Sequence, residues 1–347
     1  MAGGRLGIDV GGTFVDFVLL DEATGDISIE KEFSLERSLA DSVLEGIKRL
    51  KAAPADFEMI ILGSTIAINT ILQERGAPIG LITTQGFRDV LELGRGNRPE
   101  VYNLLYKPLK PLVPRHLRFE VAERMNNRGE VVLPLDEQSA RAAVRALKSR
   151  CVQGIAVCFL HAYANPTHER RLLQICKEIY PEVHVAISSD LTGEFREFER
   201  TSSVALNTYI MPRVTSYLSE LESRLRGSGF KGTLNIMQST GGMMSSEMAR
   251  HAPIRTLESG PAGGVIGAVA LGKLIKHPNL IAADVGGTSF DVALIVNGQP
   301  FERAETLVSR RPVLLPTIDI VSIGAGGGRR DRGQRKAGKQ RADGDQA

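Results

Sequence analysis

Short apolar runs and longer stretches of helical period alternate along the chain. Residues 6–10 and 14–20 are apolar and are separated by Gly11 and Gly12, which predicts a hairpin. A further strand is predicted near residues 27–33, and a helical pattern covers about residues 39–50.

The alternation then continues as strand, helix, strand, which is typical of α/β proteins. Strands are predicted at residues 59–62, 79–83, 154–160, 184–188 and 233–237, with a second strand pair at 280–296. Helices are predicted at residues 65–74, 139–148, 166–179 and 195–226. Pro212 should kink or divide the last helix. Residues 94–114, rich in Gly, Pro, Arg and Tyr, predict a long functional loop.

Composition places the chain among globular proteins. Its 347 residues are 42% hydrophobic and 24% charged, which suffices for about two domains. No run approaches the roughly 18 apolar residues of a membrane span, so we expect a cytoplasmic protein without a membrane partner. Cys151, Cys158 and Cys176 lack metal-type or redox-type pair spacing, so we expect buried thiols and no disulfide framework.

The strongest chemical signal is a repeated motif. Residues 9–16 read Asp-Val-Gly-Gly-Thr-Phe-Val-Asp and residues 284–291 read Asp-Val-Gly-Gly-Thr-Ser-Phe-Asp, so six of eight positions match at an offset of 275. A turn without Cβ atoms lets backbone N–H groups approach phosphate oxygens, and the Thr hydroxyl adds a donor. An Asp at the strand end can hold Mg²⁺ through water. One copy is equally compatible with a plain tight turn, whereas two copies favour phosphate binding.

These motifs resemble the superfamily of actin, the seventy-kilodalton chaperones and sugar kinases, in which two such hairpins clamp the phosphates of ATP. The resemblance implies a duplicated actin-like (ribonuclease H-like) ATPase fold of the α/β class. It assigns water-mediated Mg²⁺ binding and the catalytic role to Asp9 and Asp284. It assigns phosphate contacts to Gly11, Gly12, Thr13, Gly286, Gly287 and Thr288. Asp16 and Asp291, expected on mostly buried strands, should brace the hairpins.

Four further stretches narrow the resemblance. They are Gly-Ser-Thr-Ile-Ala-Ile-Asn-Thr at 63–70, Gly-Phe-Arg-Asp-Val-Leu at 86–91, Gln-Ser-Thr-Gly-Gly at 238–242 and Glu-Ser-Gly-Pro-Ala-Gly-Gly at 258–264. With both hairpins, they look like the A subunit of the hydantoinase and oxoprolinase family. Many members have His directly before the first of these stretches, where this chain has Leu62. The resemblance covers about residues 5–328 and implies domains at 1–190 and 191–328.

A Gly-rich turn that opens a helix suits an anion, because free N–H groups and the helix dipole point at the ligand. Ser259, Gly260, Gly263 and Gly264 are therefore further candidate contacts of the nucleotide, although small residues also serve close helix packing.

Two other groups of polar residues invite a functional interpretation. Arg95, Asn97 and Arg98 on the long loop are candidate substrate contacts, against the alternative of solvated loop arginines. His161, Asn165, His168 and Glu169 lack a metal-ligand pattern, and a capped strand-to-helix junction is the favoured interpretation.

The family resemblance implies ATP-dependent opening of a cyclic amide such as hydantoin or 5-oxoproline, through phosphorylation of the carbonyl oxygen, with a larger B-type partner subunit. Alternatives are an ATP-dependent ketone carboxylase subunit, a sugar kinase, a non-catalytic ATP-binding regulator, or an amide hydrolase without ATP. An amide hydrolase without ATP would need a nucleophile elbow or a set of zinc ligands, and this sequence shows neither. ATP consumption stimulated by glucose would identify a sugar kinase. The stretches at 63–70 and 259–264 argue against a non-catalytic regulator.

The last residues differ in composition from the rest of the chain. Seven Lys/Arg and three Asp give residues 329–347 a charge of +4, which leaves −1 for residues 1–328 and nothing that suggests a nucleic-acid partner. This stretch has no aliphatic residue larger than Ala, so we expect it to be disordered. We also expect the second domain to be incomplete and ATP turnover by the isolated chain to be impaired.

Overall fold

The computed structural model describes residues 3–34, 39–97, 100–286 and 289–324, and the predicted α/β class is confirmed. The described residues divide into two compact units, one within residues 1–263 and 302–318, the other within 264–301 and 319–347. The domain boundary expected near residue 190 lies inside the first unit and stays a prediction. The expected tail at 329–347 lies outside the described residues.

Twenty strands and nine α-helices occur among the described residues. The strands are β1 Gly4–Val10, β2 Phe14–Asp21, β3 Ile27–Phe33, β4 Phe57–Ser64, β5 Ile79–Thr84, β6 Arg118–Val121, β7 Arg124–Met125, β8 Val131–Leu133, β9 Gly154–Cys158, β10 His184–Ile187, β11 Thr233–Met237, β12 Met243–Ser245, β13 Leu280–Val285, β14 Phe290–Val296, β15 Gln299–Pro300, β16 Glu302–Arg303, β17 Thr306–Val308, β18 Arg311–Val313, β19 Thr317–Ile318 and β20 Ile320–Ile323. The helices are α1 Leu39–Arg49, α2 Ile66–Leu72, α3 Val90–Leu93, α4 Glu137–Ser149, α5 Thr167–Ile179, α6 Ser188–Leu191, α7 Glu197–Gly227, α8 Ser246–His251 and α9 Ser259–Leu274.

A six-stranded mixed sheet carries the first hairpin. Its order is β12-β11-β4-β1-β2-β3, with β1, β2 and β3 successively antiparallel and β4 and β11 parallel to β1. Every second residue of β1 (Leu6, Ile8 and Val10) is buried, which is the period-2 pattern of a strand with one face on the core. This register sends the alternate residue Asp9 to the other face.

A second sheet in the same unit is wholly parallel, with the order β10-β9-β5-β6. All residues of β5 and β9 are buried, as their continuous apolar runs predict for strands covered on both faces. The described residues of the predicted loop at 94–114 contain no helix or strand, which confirms the loop.

Helix α7 runs unbroken through Pro212. Of the two predicted outcomes, a kink or a division, the division does not occur and the kink stays a prediction. The proline leaves one carbonyl without its helical donor. Buried residues on both sides of it, Met211 and Val214, are held by packing, which keeps the helix continuous. The ten residues from Glu199 to Thr208 are all buried, so this stretch of the helix is enclosed by the fold.

The second unit contains a small antiparallel sheet in which β14 pairs with β13, β15 and β20. The β13–β14 pair confirms the second predicted hairpin. Within the described ranges, no helix has both the length and the apolar character of a bilayer span.

Three cysteines were expected to be buried, and the structure corrects one of them. Cys158 and Cys176 are buried, and burial raises the pKa of both thiols, that of Cys176 to about 12. Cys151 is exposed, because it follows the end of α4 in a left-handed conformation with φ of 52°.

Candidate functional site

The first hairpin presents unused donors beside an exposed carboxylate. Asp9 lies opposite Asp16 in the β1–β2 ladder, and the turn closes with the Gly11 N–H donating to the Phe14 carbonyl at 2.9 Å. Asp9, Gly12 and Thr13 are all exposed. Among the described residues, no acceptor receives the backbone N–H of Gly12 or Thr13. These N–H groups are therefore available to an anion.

The second hairpin repeats this geometry. Asp284 lies opposite Asp291, and the Gly286 N–H donates to the Ser289 carbonyl at 2.9 Å. The sequence repeat therefore corresponds to a repeat of register and turn closure. Gly287 and Thr288, the remaining predicted contacts here, lie outside the described residues.

The bracing residues differ between the hairpins. Asp16 is about half-exposed and forms an ion pair with Lys31 Nζ at 2.7 Å. Its partner lies on β3, which makes the pair a cross-strand link. Asp291 accepts a hydrogen bond from Ser289 Oγ at 3.2 Å, within its own hairpin.

Ser259 at the start of α9 is hydrogen-bonded to Ser64, the last residue of β4. Its Oγ donates to the Ser64 carbonyl at 3.1 Å and accepts from the Ser64 N–H at 3.0 Å, and both residues are buried. The next residue, Thr65, donates its N–H to the carbonyl of Val10 at 3.1 Å. Three stretches that the sequence singled out therefore meet at the carboxyl end of β1.

Two glycines make room for the Asp9 carboxylate. A Cβ at Gly260 would lie 2.7 Å from Asp9 Oδ1, closer than real Cβ contacts allow. A Cβ at Gly63 would lie 3.1 Å from the same oxygen and 3.4 Å from Gly260 Cα. Leu62, which stands where many family members have His, is fully buried in the core.

The stretch at 238–242 is tied to the same region through Ser239. The Ser239 Oγ accepts from the Glu258 N–H at 3.1 Å and donates to the Arg255 carbonyl at 3.0 Å. Gly241 adopts a φ of 81° in the turn. Ser239 therefore fixes the backbone directly before Ser259.

Gly263 and Gly264 lie one turn inside α9, where backbone N–H groups are used by the helix. Their predicted phosphate contacts stay a prediction. A Cβ at Gly264 would meet nothing within 4 Å, so this face of the helix is open.

On the long loop, Arg95 binds a buried acid that the sequence did not reveal. Arg95 Nε donates to Glu199 Oε1 at 2.6 Å, and this hydrogen bond raises the pKa of Arg95. Asn97 is exposed, and Arg98 lies outside the described residues. The sequence did contain a signal for Glu199, a run of five polar residues at 199–203 inside a long helix. If such a run is buried, its polar side chains need hydrogen-bond partners within the fold.

The residues around His161 form a hydrogen-bond network at a strand-to-helix junction. His168 Nδ1 lies 2.8 Å from Glu123 Oε2, and both residues are buried. Glu169 accepts from the N–H groups of Phe159 and Ser189 at 2.8 and 2.9 Å. Within the part of the chain that the structure describes, no group of three His, Cys, Asp or Glu side chains is placed to hold a metal.

Two family profiles match this chain. The profile described as "Hydantoinase/oxoprolinase N-terminal region" matches residues 5–180, and "Hydantoinase/oxoprolinase" matches residues 200–347. The chain belongs to the hydantoinase/oxoprolinase family. The resemblance read from the motifs is thereby confirmed.

Named relatives in this family have different substrates. Caprolactamase subunit alpha of Pseudomonas jessenii is 30% identical, over 93% of this chain and 48% of its own length. Acetone carboxylase beta subunit of Xanthobacter autotrophicus is 33% identical, over 93% and 47%. The 5-oxoprolinase of Saccharomyces cerevisiae is 31% identical, over 93% and 28%. The chain thus spans half or less of the length of these relatives.

Two solved structures confirm the fold, which is consistent with the expected actin-like arrangement. A nucleotide-free acetone carboxylase, from a study of ATP-dependent acetone carboxylation, superposes with a TM-score of 0.82 at 33% identity, covering 93% of this chain and 48% of its own. The ATP-dependent caprolactamase from Pseudomonas jessenii gives 0.81 at 30% identity, covering 94% and 49%.

Proposed function

We propose that this chain binds Mg-ATP with its Asp-Val-Gly-Gly-Thr hairpins and uses it to activate a small carbonyl compound. The observation that carries the proposal is the first hairpin: exposed, unused N–H groups at Gly12 and Thr13 stand beside the exposed Asp9. Related structures are described as ATP-dependent.

The residues present fit the nucleotide and its metal. The N–H groups of Gly12 and Thr13, with the Thr13 hydroxyl, are donors for phosphate oxygens. Asp9 and Asp284 would hold Mg²⁺ through water, because that ion keeps most of its hydration shell. The ion bound there would neutralise charge on the transferring phosphoryl group. A Cβ at Gly63 or Gly260 would crowd the Asp9 carboxylate, so glycine at both positions leaves room for it.

The substrate class we favour is a cyclic amide. An amide oxygen is a poor leaving group, and a phosphoryl group transferred to it creates an activated carbon that water can attack. Caprolactamase and 5-oxoprolinase, among the relatives, are named for cyclic amides. In phosphoryl transfer the protein contributes positioning and charge stabilisation, which the hairpins and the start of α9 supply.

Ketone carboxylation is the second candidate, because acetone carboxylase is as similar to this chain as caprolactamase is. Activating a ketone oxygen would use the same phosphate hairpins. In that reaction the α-carbon of the ketone's enol form would be the nucleophile and carbon dioxide the electrophile, whereas in amide opening water attacks the carbonyl carbon.

We further propose a B-type partner subunit. Two of the relatives are named as subunits. A partner would contribute the carbon-side chemistry after this chain has activated the oxygen.

The test is ATP consumption with 5-oxoproline, hydantoin, acetone or glucose, with and without a co-expressed B-type subunit. We expect turnover with a cyclic amide that rises when the subunit is present. Stimulation by acetone with bicarbonate would favour the carboxylase, and stimulation by glucose alone would contradict both candidates. Equal rates of ring opening with and without the subunit would refute the partner.

A further inference from the structure

Glu199 is a buried carboxylate that uses only one of its oxygens for a hydrogen bond. Its side chain is 5% exposed, and Oε1 accepts from Arg95 Nε at 2.6 Å. Oε2 is buried and has no hydrogen-bond partner among the described residues. A buried acceptor without a donor costs free energy, so a bound ligand that donates a hydrogen bond to this oxygen would be favoured.

Arg95 completes a donor and acceptor pair. Its side chain is 48% exposed, and the guanidinium has four N–H donors besides the one that it gives to Glu199. Gly94 and Gly96, on either side, have φ of 55° and 66°. These are backbone conformations that glycine adopts readily and other residues rarely do, so the two glycines set the path of the loop on both sides of Arg95.

The pair is linked to the segment that opens α9. Asn207 lies two turns after Glu199 on α7, about 12 Å along the axis, and its Oδ1 accepts from the Ile254 N–H at 3.1 Å. Arg255 next to it donates to the carbonyl of Leu191, before the start of α7, at 3.0 Å. The Arg255 carbonyl accepts a hydrogen bond from the Ser239 hydroxyl. The same hydroxyl oxygen accepts from the N–H of Glu258, the residue before Ser259.

We propose that Arg95 and Glu199 recognise the cis-amide edge of a cyclic amide, with the guanidinium donating to the carbonyl oxygen and Glu199 Oε2 accepting the ring N–H. This inference rests on the proposed function and names the substrate class. A lactam presents its C=O and N–H on one edge, which matches an adjacent donor and acceptor. A ketone has no N–H and leaves Oε2 unpaired. The pair therefore selects amides with an N–H over ketones and over N-alkylated amides.

The test is equilibrium binding of 2-pyrrolidinone and of N-methyl-2-pyrrolidinone to the full chain. Binding is measured by calorimetry with a non-hydrolysable ATP analogue present. We expect the wild type to prefer the N–H lactam at least about tenfold, as for a hydrogen bond to a charged acceptor. Glu199→Gln replaces the free acceptor by a donor and should abolish the preference. The matched control, Glu197→Gln, changes an exposed acid in the same helical turn and should keep it.

A second variant protects the test against a misfolded Glu199→Gln protein. Arg95→Met alters a half-exposed side chain and should weaken binding of both lactams equally, because both keep the carbonyl. Undetectable or equal binding of the two lactams by the wild type would overturn the inference, as would a preference retained in folded Glu199→Gln. Ring opening is assayed separately. ATP-dependent opening without an N–H preference would refute this inference alone, and a preference without ATP-dependent opening would refute the proposed function alone.

Discussion

At the scale of single residues, the candidate site depends on two glycines that have no Cβ atom. Gly63 and Gly260 come from distant parts of the sequence, yet both border Asp9 Oδ1. The motifs could be recognised from the sequence because Asp-Val-Gly-Gly-Thr occurs twice and because the stretches at 63–70 and 258–264 resemble the family. Their meeting at Asp9 could not, because it depends on β4 pairing with β1 and on the Ser259–Ser64 hydrogen bonds.

Gly260→Ala tests this steric argument. The new methyl group would lie 2.7 Å from Asp9 Oδ1 and must displace the carboxylate. We expect a loss of about 1 to 3 kcal/mol in unfolding free energy and weaker Mg-ATP binding. Urea unfolding and calorimetry measure the two effects. The control is Gly267→Ala on the same helix, whose Cβ would meet nothing within 4 Å and which should be neutral or stabilising. Unchanged ATP affinity in Gly260→Ala would contradict the argument.

Ser259→Ala tests the link between α9 and β4. The change leaves the buried Ser64 N–H and carbonyl without this partner. An unsatisfied buried group costs about 1 to 3 kcal/mol, and we expect a loss of that size in urea unfolding. Ser216→Ala, an exposed change on α7, should have no effect. A Ser259→Ala protein as stable as the wild type would show that the link contributes nothing.

At the scale of elements, helices α4 and α5 are joined by four alternating charges. Arg171 donates to both oxygens of Glu137 at 2.6 and 2.8 Å, and Arg141 lies 2.7 Å from Glu178. Hydrogen bonds from Arg171 and Arg141 lower the pKa of Glu137 and Glu178 respectively. A carboxylate whose pKa is lower in the folded state stabilises the fold above its ordinary pKa, and this contribution is lost as the pH falls through the lowered value.

Arg171→Met should therefore lower stability most near neutral pH. We expect the difference in urea midpoint between wild type and variant to shrink as the pH is lowered from 7 towards 3, because protonated Glu137 no longer needs the cation. Arg145→Met on the exposed side of α4 is the control and should show no such trend. A difference that stays constant over this pH range would refute the ion-pair explanation.

The elements also show what sequence patterns predict well. Both hairpins, the strands β4, β5, β9 and β10 and the helices α1, α4 and α5 appear where the apolar periods place them. The short strands β6, β7 and β8 were missed, because runs of two to four residues carry too little periodicity. Division of α7 at Pro212, one of the two predicted outcomes, does not occur, because tertiary packing outweighed local preference.

At the scale of the whole molecule, the family profiles establish the family, and the sequence repeat supports the proposed nucleotide binding. The Asp-Val-Gly-Gly-Thr doublet predicted nucleotide binding from residue types alone, and the hairpins share one register and one turn closure. The Arg95–Glu199 pair could not be predicted, because 104 residues separate the partners and only the folded chain places them together.

The most direct measurement is calorimetric binding of ATP to the 347-residue chain and to its Asp9→Ala, Asp284→Ala double variant, with and without Mg²⁺. Asp16→Asn, which alters the acid opposite Asp9 in the same hairpin, is the matched control. We predict that the wild type and the control bind ATP in a Mg²⁺-dependent manner. The double variant, with an unchanged melting curve, should bind at least about tenfold more weakly and without a Mg²⁺ effect, because it lacks both carboxylates that we propose hold Mg²⁺ through water. A folded double variant that binds Mg-ATP as tightly as the wild type would contradict the assignment of the hairpins as the nucleotide site.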